Sequence, residues 1–266
     1  MPIADLAILA ALQGLTEALP VSRSGHGAVA RLWLGGEGDA LALSAFLQAG
    51  VLLALGWVIR HRLRAAIAEG VRAVSRPTLF RSSPAAHDGA AMVLAVAGSV
   101  ATSLAAGPLA APWTDAPSAV GLGLLMTGLA LASTALVPPG RLESPRLRAA
   151  LLIGIGHGLA VSPGASSVGI ALTLALWLGV RPVRAAEFAF AITLPSLAIS
   201  FGSALAHRPA LDAGAAAAGI LLAFLGARLG AALLRGLLDR HRLALLSLWL
   251  MPLSLATLAY ARALPS

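Results

Sequence analysis

Apolar stretches about 20 residues long recur along this sequence. At a rise of ~1.5 Å per residue, a helix of that length crosses a hydrocarbon core ~30 Å thick. Six stretches have this character, at about residues 40–60, 88–107, 118–137, 185–206, 213–235 and 243–262. The pattern predicts an all-α polytopic membrane protein with six transmembrane helices in a single membrane domain, residues 1–266.

Two further apolar regions, residues 3–35 and 150–180, are interrupted near the middle by Pro, Gly and Ser. Such a break frees backbone N–H and C=O groups that lipid cannot satisfy, so the regions must be buried in protein or line a wet cavity. We therefore expect two re-entrant helical hairpins, each entering and leaving on one side of the membrane. The hairpins are also the first candidates for a functional site.

The composition excludes several classes of protein. Hydrophobic residues make up 58% and charged residues 11%, whereas soluble domains are roughly 25% charged. A net charge of +8 would suggest nucleic acid in a soluble protein, but no basic face interleaved with aromatic residues is present, so no nucleic-acid partner is expected. The absence of cysteine excludes disulfides and thiolate metal sites.

The placement of arginine predicts the topology. All 19 basic residues are Arg, and fourteen fall on one face if both hairpins return to the side they entered: Arg60, Arg62, Arg64, Arg72, Arg76, Arg81, Arg141, Arg146, Arg148, Arg181, Arg184, Arg235, Arg240 and Arg242. The other face receives Arg31, Arg208 and Arg262. The positive-inside rule then places the fourteen in the cytoplasm and both termini outside a bacterial cytoplasmic membrane.

An internal repeat accounts for this arrangement. A shift of 144 residues gives ten identities within about 33 positions, and a Trp-Leu-Gly run is among them. The pairs are Gly14–Gly158, Leu15–Leu159, Ser22–Ser166, Gly25–Gly169, Leu32–Leu176, Trp33–Trp177, Leu34–Leu178, Gly35–Gly179, Ala45–Ala189 and Phe46–Phe190. The halves, residues 1–137 and 138–266, each hold one hairpin and three spans, so they have opposite orientation. Inverted repeats with broken helices commonly surround a site near the bilayer midplane.

The first hairpin concentrates ionisable side chains in an apolar segment. Its central stretch, residues 13–26, reads Gln-Gly-Leu-Thr-Glu-Ala-Leu-Pro-Val-Ser-Arg-Ser-Gly-His. Its candidate site residues are Gln13, Glu17, Ser22, Arg23, Ser24 and His26. Ionisable groups at membrane depth cost at least ~2.5 kcal/mol each and are usually paired and functional. An interfacial loop whose charges merely reach water is the structural alternative.

The second hairpin offers small residues and hydroxyls. Residues 163–169 read Pro-Gly-Ala-Ser-Ser-Val-Gly, and Gly164, Ser166 and Ser167 are its candidate ligands. Backbone N–H groups at a helix start suit an oxyanion. A tight helix crossing without a ligand is the alternative, because small residues also mediate helix packing in membranes.

Residues 13–26 resemble the first signature of the undecaprenyl-diphosphate phosphatases, a Glu or Gln followed by Gly-Leu-Thr-Glu-Phe-Leu-Pro-Val-Ser-Ser, then Ser or Thr, then Gly-His. Residues 163–169 are similar to the second, Pro-Gly-x-Ser-Arg-Ser-Gly, and the stretches 46–50 and 186–195 that follow the hairpins agree as well. Two positions depart from the family pattern: Arg23 replaces a Ser, and Ser167 replaces the Arg. Arg23 and Ser167 are partners in the repeat, so the guanidinium has moved to the other hairpin.

The resemblance implies hydrolysis of undecaprenyl diphosphate to undecaprenyl phosphate, a lipid carrier of cell-wall synthesis. We expect Arg23 to bind phosphate oxygens with its planar fork, helped by Gln13, Ser22, Gly164, Ser166 and Ser167. His26 is the first candidate for nucleophile or acid/base, because it titrates near neutrality, and Ser24 is the second.

Glu17 is expected either to orient His26 or to hold a divalent cation. Mg²⁺ or Ca²⁺ would bind through Glu17, water and the substrate phosphates. A polyprenyl diphosphate and membrane lipids are the expected partners, and a homo-oligomer is compatible with the sequence. A transporter or flippase for a polyprenyl phosphate is the alternative function, because inverted repeats also suit alternating access.

Overall fold

The computed structural model describes residues 3–34, 40–114, 116–206 and 212–263. Regular structure in these ranges is helical, apart from one isolated β-bridge between Leu142 and Val180. The α-helices are α1 (Ile3–Ala18), α2 (Arg23–Leu34), α3 (Ala40–Val58), α4 (Arg60–Ser75), α5 (Leu79–Ser82), α6 (Pro84–Ala110), α7 (Pro117–Ser133), α8 (Leu147–Leu159), α9 (Ser167–Trp177), α10 (Pro182–Ala206), α11 (Ala213–Asp239) and α12 (Ser247–Ala263). Gly35 and Arg208 of the sequence analysis lie outside the described residues.

Five helical stretches in the described ranges are long and apolar enough to cross a membrane: Pro84–Trp113, Pro117–Leu136, Pro182–Ala206, Ala213–Asp239 and Leu243–Ala263. A sixth is reached if α3 and α4, which are bent by 76° from each other at the break between them, are taken together as one span. The prediction of an all-α protein with about six apolar spans is confirmed.

Residues 61–87, predicted only as a loop between spans, are largely helical. Helix α4 packs against α6, and Arg62 anchors it by pairing with Asp88, with Nε–Oδ2 and Nη2–Oδ1 distances of 2.7 Å. Both side chains are buried. Arg62 also donates to the carbonyl of Arg184 at 2.7 Å. A buried guanidinium needs several oxygen partners, and this network supplies them where α4, α6 and α10 begin.

The two interrupted regions have closely similar breaks. Helices α1 and α2 are separated by residues 19–22, and α8 and α9 by residues 160–166. Ser22 accepts a hydrogen bond from the Gly25 amide, and Ser166 accepts one from the Gly169 amide, each at 3.0 Å. These four residues are partners in the 144-residue repeat. The hydroxyls act as N-caps that satisfy amides freed by the break.

Both breaks require left-handed backbone. Ser22 has φ +73° and Gly164 has φ +76°. The first is uncommon for a residue with a side chain, so the surrounding contacts must hold it. Strained backbone of this kind concentrates at functional sites.

Close helix contacts bury the interrupted regions. Helix α1 packs against α11, and α8 packs against α6. A Cβ at Gly14 would lie 2.0 Å from the carbonyl oxygen of Ala223, and one at Gly158 would lie 2.3 Å from that of Ser99. Only glycine permits this approach, which is typical of helix crossings in membranes. Helix α3 packs on α10 and α7 on α12, so the two breaks lie inside the bundle.

Candidate functional site

A cavity of about 340 Å³ lies where the two breaks meet. Seven of the nine residues singled out in the sequence line it, namely Gln13, Glu17, Arg23, Ser24, Gly164, Ser166 and Ser167. Ser22 and His26 do not belong to its wall. Side chains from α3, α6 and α10 complete the lining, so residues far apart in sequence share one space.

Arg23 is the cation on the cavity wall. Its Nε lies 2.6 Å from Oε2 of Glu17, and the two side chains are 34% and 12% exposed. Its Nη1 donates to the hydroxyl of Ser44 at 3.0 Å, while Nη2 makes no hydrogen bond within the described part of the chain. A guanidinium that is held at Nε and Nη1 and keeps its Nη2 donors suits a phosphate oxygen.

Gln13 and Ser44 hold the arginine in place. Gln13 donates from Nε2 to the carbonyl of Ser44 at 2.8 Å, and the hydroxyl of Ser44 donates to Oε1 of Gln13 at 2.9 Å. Gln13 is therefore engaged by α3 and orients Arg23 through Ser44. The sequence analysis had assigned Gln13 to the substrate and had not identified Ser44.

Direct hydrogen bonds connect the two breaks. The amide of Gly164 donates to the hydroxyl of Ser24 at 3.1 Å, and the hydroxyl of Ser22 donates to the carbonyl of Ala165 at 3.3 Å. The amide of Ser166 donates to the hydroxyl of Thr127 at 2.9 Å. The amides of Gly164 and Ser166 are thus bound by side chains of this chain and are not free to bind an anion.

His26 faces away from the cavity. Its Nδ1 lies 2.9 Å from the carbonyl of Ser22, and its Nε2 accepts from the indole N–H of Trp249 at 2.8 Å. The two rings are stacked with centroids 6.2 Å apart. Both nitrogens of His26 are therefore occupied, and the imidazole attaches α2 to α12.

Two oxygens on the wall suit a divalent cation. Oε1 of Gln48 is buried without a hydrogen-bond partner, and Oε2 of Glu17 makes the ion pair with Arg23 but no hydrogen bond of normal geometry. Within the described residues no cluster of three His, Asp or Glu could hold a metal alone. Carboxylate and amide oxygens are hard ligands of the type that Mg²⁺ and Ca²⁺ take, so the residues fit a cation completed by water and phosphate oxygens.

The sequence signal for the remaining residues of the cavity wall is a single polar residue within an apolar span. Ser44 and Gln48 on α3, Ser99 on α6 and Thr193 on α10 all line the cavity. The breaks could be identified from the sequence because polar residues are dense there. A single polar residue in a span is less informative, because such residues also occur at helix contacts. Their convergence follows from the packing of α3, α6 and α10, which the sequence does not give.

Comparison with known proteins identifies the family. A family model described as bacitracin resistance protein BacA matches residues 6–256. The chain belongs to this family.

Curated relatives match over nearly the whole chain. The chain is 32% identical over 254 residues to an undecaprenyl-diphosphatase of Geobacter sulfurreducens, and the alignment covers 91% of this chain and 92% of that protein. It is 33% identical over 252 residues to one of Cereibacter sphaeroides, covering 91% and 90%. A third, of Treponema denticola, is 27% identical over 267 residues and covers 98% of each. The likeness of the signatures is thus accompanied by likeness along the entire membrane domain.

Proposed function

We propose that this chain is a hydrolase that converts undecaprenyl diphosphate and water into undecaprenyl phosphate and inorganic phosphate. The observation that carries the proposal is Arg23, which lines the cavity, is held at Nε by Glu17 and at Nη1 by Ser44, and keeps free donors on Nη2. Membership of the BacA family and the undecaprenyl-diphosphatases among its relatives supply the substrate.

The diphosphate binds against Arg23 and the hydroxyl-bearing tip of the second hairpin. Phosphoryl transfer depends mainly on positioning and on stabilisation of charge on the phosphate oxygens. Arg23 supplies the charge, and Ser166 and Ser167 line the same cavity. Glu17 fixes the plane of the guanidinium, so the charge is oriented before the substrate arrives.

Ser24 is the first candidate for the attacking side chain. Its hydroxyl lines the cavity and accepts the Gly164 amide at 3.1 Å, which leaves its own proton available for transfer. His26 has neither nitrogen free toward the cavity, so in this conformation it acts by positioning α2. Catalytic hydrogen bonds can rearrange when substrate binds, and mutation of both residues is therefore the deciding test.

A divalent cation would bind at Glu17 and Gln48 together with phosphate oxygens of the substrate. Such an ion supplies charge stabilisation at the transferring phosphoryl group. Gln48 supports this cation site because its buried Oε1 has no hydrogen-bond partner and could bind the ion. The chain's own contribution is to hold these oxygens beside Arg23.

The finer architecture that we propose is an inverted-topology repeat with two re-entrant hairpins. Exchange of the halves relates α1 to α8, α3 to α10, α6 to α11 and α7 to α12. The pairings α1–α11 and α8–α6 are exchanged by this relation, as are α3–α11 and α10–α6, whereas α3–α10 and α7–α12 map onto themselves. The matching caps at Ser22 and Ser166 support the same relation.

The orientation that we propose places this domain in a bacterial cytoplasmic membrane with both termini outside. In this orientation the Arg62–Asp88 network lies at the ends of α6 and α10 that would face the cytoplasm. Along the same two helices the cavity wall continues through Ser103 and Ser200 and reaches Thr114, toward the opposite ends. The diphosphate therefore enters from the outer leaflet.

Release of inorganic phosphate tests the function. Purified protein in detergent micelles is given undecaprenyl diphosphate, with and without a chelator, beside the Arg23→Ser variant. We expect phosphate release by the native chain, loss on chelation with recovery on adding Mg²⁺ or Ca²⁺, and at least a 10²-fold reduction in the variant. Lipid movement in liposomes without release of phosphate would instead support the transporter alternative.

A further inference from the structure

A second polar cluster lines the same cavity as Arg23. His157 on α8 is buried, with 4% exposed, yet its side chain lines the cavity. Its Nδ1 lies 2.7 Å from the hydroxyl of Ser99 on α6, and its Nε2 lies 3.0 Å from the hydroxyl of Thr193 on α10. Ser99 and Thr193 also line the cavity. The mechanism above uses none of the three.

The hydrogen bonds fix the direction in which a proton can move. Thr193 donates its single proton to the carbonyl of Ala189 at 2.8 Å, so its oxygen accepts from Nε2–H of His157. Nδ1 therefore carries the lone pair, and the hydroxyl of Ser99 donates to it. A hydroxyl donating to an imidazole whose other nitrogen is held by a third group is the geometry of an activated nucleophile or proton relay.

Helix packing holds this pair together. The close approach at Gly158, where a Cβ would meet the Ser99 carbonyl oxygen at 2.3 Å, brings α6 and α8 within hydrogen-bonding distance. No other ionisable residue faces His157 from the packed elements: α6 has none from Gly89 to its end, α9 has none, and α10 has none after Glu187. Glu17 and Arg23, which pair with each other, are the ionisable groups on the rest of the wall.

We propose that His157 is the base of the reaction and receives its proton through Ser99. This inference rests on the proposed function. When the Ser24 oxygen bonds to phosphorus, the phosphorus–oxygen bond to undecaprenyl phosphate breaks and the Ser24 proton goes to that leaving oxygen. A water oxygen then bonds to the phosphorus of the phosphoserine while the bond to the Ser24 oxygen breaks. In this second step the water gives a proton to the hydroxyl oxygen of Ser99, Ser99 passes its own proton to Nδ1 of His157, and the imidazolium returns that proton to the Ser24 oxygen.

The assignment follows from which groups are free. Glu17 is committed to Arg23, and both nitrogens of His26 are bonded away from the cavity. His157 is the one imidazole on the wall within the described residues, and a neutral imidazole can accept a proton and return it. The Ser99 hydroxyl, which also lines the cavity, is bonded to its Nδ1.

The test is His157→Gln, because Gln can keep a donor toward Thr193 and an acceptor toward Ser99 but cannot carry a proton. Its partner in the repeat, Gln13, shows that the amide fits this position of the fold. We expect kcat to fall by about 10² or more, the usual scale for an acid/base group, with KM changed less than about threefold. His87→Gln is the matched control: His87 bonds the Pro145 carbonyl at 3.2 Å, away from the cavity, and its loss should leave kcat unchanged.

The pH profile separates proton transfer from a structural role. A base must be neutral to act, so kcat/KM of the native chain should fall as the pH drops through the pKa of His157. The remaining activity of His157→Gln should lack that acid limb. Ser99→Ala, which leaves His157 in place, should lower kcat at least tenfold.

Each result decides the matter. Native kcat in His157→Gln, or in Ser99→Ala, would overturn the inference while leaving hydrolysis itself intact. No phosphate release by the native chain would instead refute the proposed function on which it rests.

Discussion

Arg23 and Glu17 form an ion pair with 2.6 Å between Nε and Oε2. The two residues stand six positions apart, on either side of the break that contains Pro20, so the pair closes the first hairpin over the cavity. The guanidinium is held at Nε by Glu17 and at Nη1 by Ser44. These two contacts leave the N–H donors of Nη2 for a phosphate oxygen.

Glu17→Gln should lower phosphate release by about 10²-fold or more, since it removes the carboxylate that orients Arg23 and that a cation would use. The measurement is initial-rate phosphate release by purified protein. Glu143→Gln is the control, because Glu143 also pairs with Arg181 and Arg184 but is 56% exposed. An exposed pair contributes about 0–1 kcal/mol, so this variant should keep native activity. Equal losses in both variants would refute a specific role for Glu17.

Ser24→Ala and His26→Ala together identify the attacking group. We expect Ser24→Ala to lower kcat by about 10²-fold or more, because the Ser24 hydroxyl lies on the cavity wall. His26→Ala should lose less, because the imidazole bonds Ser22 and Trp249 instead.

Trp249→Phe provides the control for His26. It removes the bond to Nε2 and keeps an aromatic ring, so a positioning role predicts a loss similar to that of His26→Ala. If kcat falls about 10²-fold in His26→Ala while Trp249→Phe keeps native activity, His26 is the nucleophile, as the sequence indicates.

The sequence predicts the spans well because a long charge-free stretch has few alternatives to a membrane helix. It also predicts the breaks, since Pro20 and Pro163 interrupt apolar regions and Ser22 and Ser166 are natural N-caps. Residues within each break lie close together along the chain, so the sequence predicts each polar cluster with little further information. That both clusters line one cavity depends on how the two breaks pack.

Contacts between distant elements are harder to predict. The orientation of His26 depends on Trp249, 223 residues away, and Ser44 reaches Arg23 only because α3 packs beside α1. Helix α4 was not predicted because its many Arg residues exclude it from an apolar span, although its Ala, Leu and Arg favour a helix. Pairings of this kind are properties of helix packing, which hydropathy alone does not encode.

Cysteines at Ser75 and Ser118 test the proposed topology. Both positions are exposed, and the chain otherwise has no cysteine. Ser75 ends α4 near the Arg-rich face, and Ser118 begins α7 at the other end of α6. A membrane-impermeant maleimide applied to intact cells should label the cysteine at Ser118 and spare the one at Ser75. Labelling of both from the outside contradicts the inverted arrangement.

Arg23→Ser combined with Ser167→Arg tests whether one guanidinium serves the cavity from either hairpin. Arg23 and Ser167 are partners in the repeat, and both line the cavity. The bond between Ser24 and Gly164 shows that the two tips are in contact. Arg23→Ser should reduce kcat/KM by about 10²–10³, the scale for removing one donor that stabilises transition-state charge.

Adding Ser167→Arg to Arg23→Ser should raise kcat/KM at least about tenfold above that of Arg23→Ser alone. The new side chain enters the same cavity, and the double variant has the residues of the resembled signatures at both positions. Alone, Ser167→Arg should give no gain, since two like charges would compete for one pocket. Ser75→Arg on the Arg23→Ser background is the matched control, as it restores the net charge on the exposed end of α4 and should rescue nothing. If the Ser167→Arg double variant is folded and inserted but no more active than Arg23→Ser, the two hairpin positions are not interchangeable, and Arg23 has a role tied to its own pairing with Glu17.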